Sequence, residues 1–228
     1  MLPDDVDPRD LDPQVRQALR SLTTPVADRV AKHLVVAGSI VDEDPEAALG
    51  HARAARRLGG RLALIREAVG ITAYLAGEWA EALNELRAAR RIGGENSLVH
   101  VMADCERALG RPERALELIR ETDASAFPVD LRVELAIVEA GARRDLGQFG
   151  AAVLALQGPQ LRELEHRDPE LRESVQPWAV RLAYAYADAL AAAGRAEEAM
   201  RWFVITRDLD EDVTTDAADR LAAMSTSE

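Results

Sequence analysis

Ala-Leu-Gly-His-Ala-Arg-Ala-Ala-Arg-Arg-Leu-Gly-Gly, residues 48–60, returns 34 residues later as Ala-Leu-Asn-Glu-Leu-Arg-Ala-Ala-Arg-Arg-Ile-Gly-Gly, residues 82–94. In both copies the small and apolar residues fall at helical spacing, and the paired glycines stand where a helix would stop. A fixed period of this size marks an array of helix pairs, because one pair cannot bury its apolar face without a neighbour. The same alanine opens a helix again at Ala115, Ala152 and Ala199, so the recurrence extends through most of the chain.

Working outward from this stretch, the sequence predicts an all-α fold. Hydrophobic residues make up 48% of the chain but aromatic residues only 4%. That apolar content is mostly Ala and Leu, which suits close helix packing better than strands. Helix starts are signalled by Asp12-Pro13, Thr24-Pro25, Asp44-Pro45, Pro112, Pro128 and Pro177, since proline is tolerated in a first turn. Stops are signalled by Gly59-Gly60, Gly77, Gly93-Gly94, Gly110, Gly147 and Gly194. These signals give helix pairs at about 25–58, 61–92, 95–122, 128–157 and 177–209, within one domain spanning 13–223. The late arrival of the fifth pair implies extended helix ends or an added helical turn between Gln160 and Pro177. A last short helix is expected after Thr214 or Thr215, with Ala218, Leu221 and Ala222 inward. Residues 1–12 and 224–228 are expected to be disordered.

The formal charge of −12 is concentrated at the ends: residues 1–12 carry −4 and residues 207–228 carry −5, which leaves −3 for the body. A general nucleic-acid binder draws its affinity from neutralising phosphates, so nucleic acid is not an expected partner. Of the 28 basic residues only Lys32 is a lysine, a skew read as high-GC coding. The start, Met1-Leu2-Pro3-Asp4-Asp5, lacks the basic and apolar parts of a signal peptide, and no run approaches the roughly 18 apolar residues of a spanning helix. A cytoplasmic protein without membrane attachment is expected.

Four histidines, His33, His51, His100 and His166, are scattered over different repeat units with no two at helical i, i+4 spacing, so no metal site is expected. Cys105 is the single cysteine, sits on a helical pattern and reads as a small buried side chain. No phosphate loop or nucleophile elbow is present, and no nucleophile, base and orienting group can be assembled. No catalytic residue and no cofactor is therefore assigned, and an enzyme is not expected.

The units around Gly70, Tyr74, Gly77, Ala82, Leu86 and Ala89, then Ala103, Leu109, Gly110, Ala115 and Ile119, then Ala140, Leu146, Gly147, Ala152 and Leu156, then Ala187, Gly194, Ala199 and Phe203 resemble the tetratricopeptide repeat family, of bacterial type. Small residues midway along the first helix and early in the second let two backbones cross closely, and a glycine closes the turn between them. The resemblance covers about residues 25–210. It implies a right-handed superhelical solenoid of about five antiparallel helix pairs, with short terminal helices covering its ends.

In such arrays the first helices line a concave groove. The resemblance places Leu64, Glu67, Ile71 and Tyr74 there, then His100, Asp104 and Arg107, then Ile137 and Arg144, then Arg181, Tyr184 and Asp188. An apolar and aromatic start followed by opposed charges suits a protein or peptide segment laid along the groove. The competing reading is a polar helix face closed by its own ion pairs. The Lys and Asn clamp with which some family members grip chaperone C-termini is not present: the corresponding faces carry His33 with Ala37, Glu67 with Ile71, and His100 with Asp104.

Arg53, Arg56, Arg57, Arg87, Arg90 and Arg91 form a second candidate site, a basic ladder on the outer faces of adjacent second helices. It could receive RNA or a phosphate-bearing partner, or the cations could simply offset helix dipoles. The expected function is a non-enzymatic scaffold for an unidentified protein or peptide. The alternatives are a homodimeric assembly subunit and a regulatory module working through the ladder.

Overall fold

The computed structural model describes residues 2, 6–94, 96–166 and 176–225, and among these the regular elements are helices, with no strand. The chain forms two compact units, residues 1–110 and 111–228.

The first unit contains α1 (Pro13–Leu19), α2 (Thr24–Ile40), α3 (Pro45–Gly59), α4 (Ala63–Leu75), α5 (Trp79–Gly93) and α6 (Val99–Ala108). The Asp-Pro pairs start helices as the sequence predicts. Asp12 accepts the Gln14 amide at 2.7 Å and Asp44 accepts the Ala47 amide at 2.9 Å, while Pro13 and Pro45 fill first-turn positions that need no donor. The expectation of disorder over residues 1–12 is corrected at Pro8–Asp10, which form a 3-10 turn capped by Asp7. Leu11 just beyond it packs partly buried against the Leu19, Val30, Leu34 and Ile65 cluster, which gives this turn an apolar anchor.

Successive helices α2, α3, α4 and α5 pack side by side, and Ala52, Ala55, Val69, Ala73 and Ala82 are fully buried among them. Gly70 shows why small residues recur. A β-carbon there would stand 2.6 Å from the Leu86 side chain, so only glycine lets α4 and α5 approach this closely. Gly77 closes α4 with φ +75°, a left-handed value, and the Glu78 amide returns to the Ala73 carbonyl at 2.8 Å. The Gly59-Gly60 stop works differently from the expected left-handed closure. Gly60 has φ −65°, and a β-carbon there would lie 2.7 Å from the Arg56 carbonyl oxygen, whereas one at Gly59 would meet the flexible tip of Ile65, Cδ1, at 2.6 Å.

The second unit contains α7 (Pro112–Arg120), α8 (Val129–Asp145), α9 (Phe149–Leu156), α10 (Pro159–Glu165), α11 (Pro177–Ala192), α12 (Ala196–Leu209) and α13 (Ala217–Ser225). The boundary falls at the Gly110 turn, so α6 and α7, the expected third pair, belong to different units. Ala115 is the one fully buried residue of α7. The turn seen at Gly77 repeats at Gly147 and Gly194, where Gln148 and Arg195 donate back to Arg143 and Leu190. Leu156, Leu190, Ala199, Trp202 and Phe203 form the centre of the core.

The extra length before the fifth pair includes a separate helix, α10, and residues 167–175 lie outside the described residues. The last helix also differs from expectation. Thr214 and Thr215 do not cap it; their amides and hydroxyls all donate to the Asp210 carboxylate at 2.7–2.8 Å. Because α13 then starts at Ala217, its inward side carries Ala217, Leu221 and Met224, while Ala218 and Ala222 are exposed.

Candidate functional site

In the first unit the residues assigned to a groove come together on α4 and α6. Tyr74 donates its hydroxyl to Asp104 Oδ2 at 2.7 Å, and Arg107 donates to the other oxygen at 2.6 Å. Trp79 stands edge-on to the Tyr74 ring, with centroids 5.3 Å apart. Burial, then the bond to Asp104, pushes the Tyr74 hydroxyl well above the usual tyrosine range, so it is a fixed donor. His100 is half-buried one turn before Asp104.

Along α4 beside this triad runs an apolar stripe. Leu64 is half-buried, Ile71 is 38% exposed and Leu75 is 47% exposed, with Glu67 half-buried between Leu64 and Ile71. Leu75 is absent from the residues that the sequence assigned to the groove. Its signal is present, since it follows Ile71 by one helical turn and adjoins Tyr74.

In the second unit the assigned residues are mostly engaged with one another. Asp188 of α11 pairs with Arg144 of α8 and accepts from Arg220 of α13 at 2.9 Å. Arg181 donates to Glu134 at 2.6 Å, and Tyr184 donates to Asp216 at 2.5 Å. Burial and then that bond push the Tyr184 hydroxyl up to about 12. Arg220 also lies over the Phe203 ring, 5.1 Å from its centroid, and Ile137 packs half-buried against the core. Exposed large apolar side chains lie instead on the second helices, with Phe149 41% exposed, Leu154 67% and Val204 37%, and at Val213 in the turn after α12, 80% exposed.

The arginine ladder is half occupied by carboxylates. Arg53 grips Glu81 through Nε at 3.1 and 3.2 Å and through Nη2. Arg56 pairs with Glu85, which also accepts from Arg66 at 2.8 Å. Arg87 donates to Glu106 at 2.5 Å. Glu85 is 7% exposed and Glu106 only 3%, so these are interior contacts between neighbouring helices of the first unit. The bond from Arg53 holds the Glu81 carboxyl below its ordinary range. Arg57 and Arg91 are exposed and Arg90 is half-buried.

The placing of all four histidines on separate units is corrected for two of them. His33 on α2 and His51 on α3 face each other, Nδ1 to Nδ1, at 3.1 Å. They are 18 residues apart, and only the antiparallel packing of α2 on α3 joins them. Cys105 is fully buried, and burial pushes its thiol up to about 12, as for an apolar core side chain. No helix among the described residues is long and apolar enough to cross a membrane.

No family model matches this sequence, and no curated protein matches it. Among solved structures, one of nearly identical TPR-like repeats from a kinesin-light-chain-type protein of Podospora anserina aligns with a TM-score of 0.58. The match is 17% identical and covers 85% of this chain and 99% of the other. At that identity the likeness concerns the fold, and it agrees with the all-α reading of TPR-like helix pairs.

Proposed function

We propose that this chain is a protein-binding scaffold and that its partner segment docks on the α4 and α6 face of the first unit. The observation that carries this is the juxtaposition of exposed Ile71 and Leu75 with the Tyr74, Asp104 and Arg107 triad. Two apolar side chains one turn apart offer an anchor, and a prearranged polar cluster beside them supplies directional contacts. The triad is already hydrogen-bonded in the free protein, so little side-chain freedom is lost when a partner arrives. The fitting partner is a segment, helical or extended, that presents apolar side chains to α4. Of the basic ladder, Arg53, Arg56 and Arg87 already hold carboxylates, which favours the α4 face over a phosphate-binding ladder.

The test is affinity capture of the partner followed by binding measurements with the isolated pair. Ile71→Asp and Leu75→Asp should each weaken binding by about tenfold or more, near 1.4 kcal/mol, with the melting temperature held. Unchanged binding in both variants would remove the α4 face from consideration.

A second reading, self-association, draws on α9. Its sequence, Phe-Gly-Ala-Ala-Val-Leu-Ala-Leu, contains no polar side chain, yet Phe149 and Leu154 are exposed. A homodimer formed there should be seen as doubled mass by light scattering, and Leu154→Glu should return it to monomer.

A further inference from the structure

His33 and His51 are both half-buried, with ring centroids 5.2 Å apart and ring planes tilted by 54°. At an Nδ1 separation of 3.1 Å there is room for one proton between the two nitrogens, so at least one lone pair points into the gap. The same separation fits two nitrogens on one metal ion. With metal–nitrogen bonds of about 2.0–2.1 Å, two imidazoles stand roughly 2.9 Å apart at a right angle and about 3.4 Å apart at the tetrahedral angle. The observed distance lies between these limits.

We propose that His33 and His51 together form a two-imidazole binding site for a late first-row divalent cation, Cu²⁺ in preference to Ni²⁺ and Zn²⁺. Entry of the ion needs no net loss of protons from a neutral pair. The imidazole that holds its proton on Nδ1 moves it to Nε2, and both Nδ1 lone pairs then face the ion. Imidazole nitrogen selects these metals over Mg²⁺ and Ca²⁺, which require oxygen donors. Among the described residues no group of three or more His, Cys, Asp or Glu is placed to hold a metal, so water completes the coordination and the site stays open to an outside ligand. Arg29 and Arg57 bring positive charge toward His33, which opposes every cation and leaves the ion with the strongest bond to imidazole as the best occupant. This site is independent of the α4 face and of the partner proposed for it.

The experiment uses the full chain stripped with a chelator and titrated with Cu²⁺ near neutral pH, followed by calorimetry and electron paramagnetic resonance. One equivalent should bind with the hyperfine pattern of two equatorial nitrogens. His33→Gln and His51→Gln should each lower the affinity by about tenfold or more, while His100→Gln and His166→Gln leave it unchanged. Absence of saturable binding, or an affinity in His33→Gln and His51→Gln equal to that of the parent chain, would overturn the proposal. Nitrogen NMR of the wild-type chain with Zn²⁺ decides the matter without any variant. Shifts confined to the Nδ1 atoms of His33 and His51 support the site, and shifts confined to other histidines refute it.

Discussion

The two units distribute charge and apolar surface in opposite ways. In the first, ion pairs run mainly along the second helices, where Glu81 and Glu85 of α5 hold Arg53 and Arg56 of α3 and Arg87 of α5 reaches Glu106 of α6, while Ile71 and Leu75 stay open on a first helix beside the Asp104 and Arg107 pair. In the second, ion pairs close the first-helix side, where Asp188 gathers Arg144 and Arg220 and Glu134 holds Arg181. Its open apolar residues on helices, Phe149, Leu154 and Val204, belong to second helices, and Val213, 80% exposed, stands in the turn after α12. Ile92 on α5, 49% exposed, is an exception in the first unit. The comparison teaches that one repeat pattern can present either face: the side whose charges satisfy one another becomes a structural seam, and the other is left for a partner.

The strongest way to break the comparison is to open the first unit's seam. Glu85 is buried and accepts from two guanidinium groups, so Glu85→Ala leaves Arg66 without its carboxylate and Arg56 with only its longer contact to Glu81 at 3.4 Å. A loss of about 2 to 4 kcal/mol is expected by denaturant titration. The matching change in the second unit, Asp188→Ala, removes a more exposed acceptor and should cost about 1 kcal/mol. Equal losses would erase the distinction between an interior seam and a surface one.

Ala82→Leu should cost about 1 to 3 kcal/mol, because Ala82 is fully buried and its carbonyl lies 3.4 Å from where a Gly70 β-carbon would be. A melting temperature equal to that of the parent chain would contradict the close crossing of α4 and α5.

A smaller effect sharpens the account of α2 and α3. Burial first, then the facing His51 and nearby Arg29 and Arg57, lower the proton affinity of His33 below its ordinary value of 6.5, and burial lowers that of His51. The unfolded chain therefore takes up protons that the folded pair resists. The contribution is fully present above 6.5 and is lost as pH falls below it. In the presence of a chelator, the melting temperature should fall between about pH 7 and pH 5 more steeply in the parent than in the His33→Gln variant. Parallel profiles would remove the pair from the pH response.

Much of the fold is legible in the sequence, because a 34-residue recurrence, first-turn prolines and turn glycines are local signals and helix boundaries are set locally. The site is legible only in part. Tyr74, Asp104 and Arg107 can be placed on one face by their register, but their mutual bonds depend on how α4 meets α6. The pairing of Arg53 with Glu81 over 28 residues, and of His33 with His51 over 18, is decided by interhelical packing that no periodicity encodes. The register of α13 is hidden for a different reason: Asp210 captures both threonines that the sequence offers as its cap.

The central claim is that the first unit's α4 face receives the partner. It is tested most directly by placing a photo-crosslinking phenylalanine analogue at Leu75 in one preparation and at Leu154 in another, then illuminating cells that produce the protein. The account predicts a discrete adduct with a different protein from Leu75, suppressed by Ile71→Asp, and none with that protein from Leu154. The same partner crosslinked from Leu154 and not from Leu75 would contradict it.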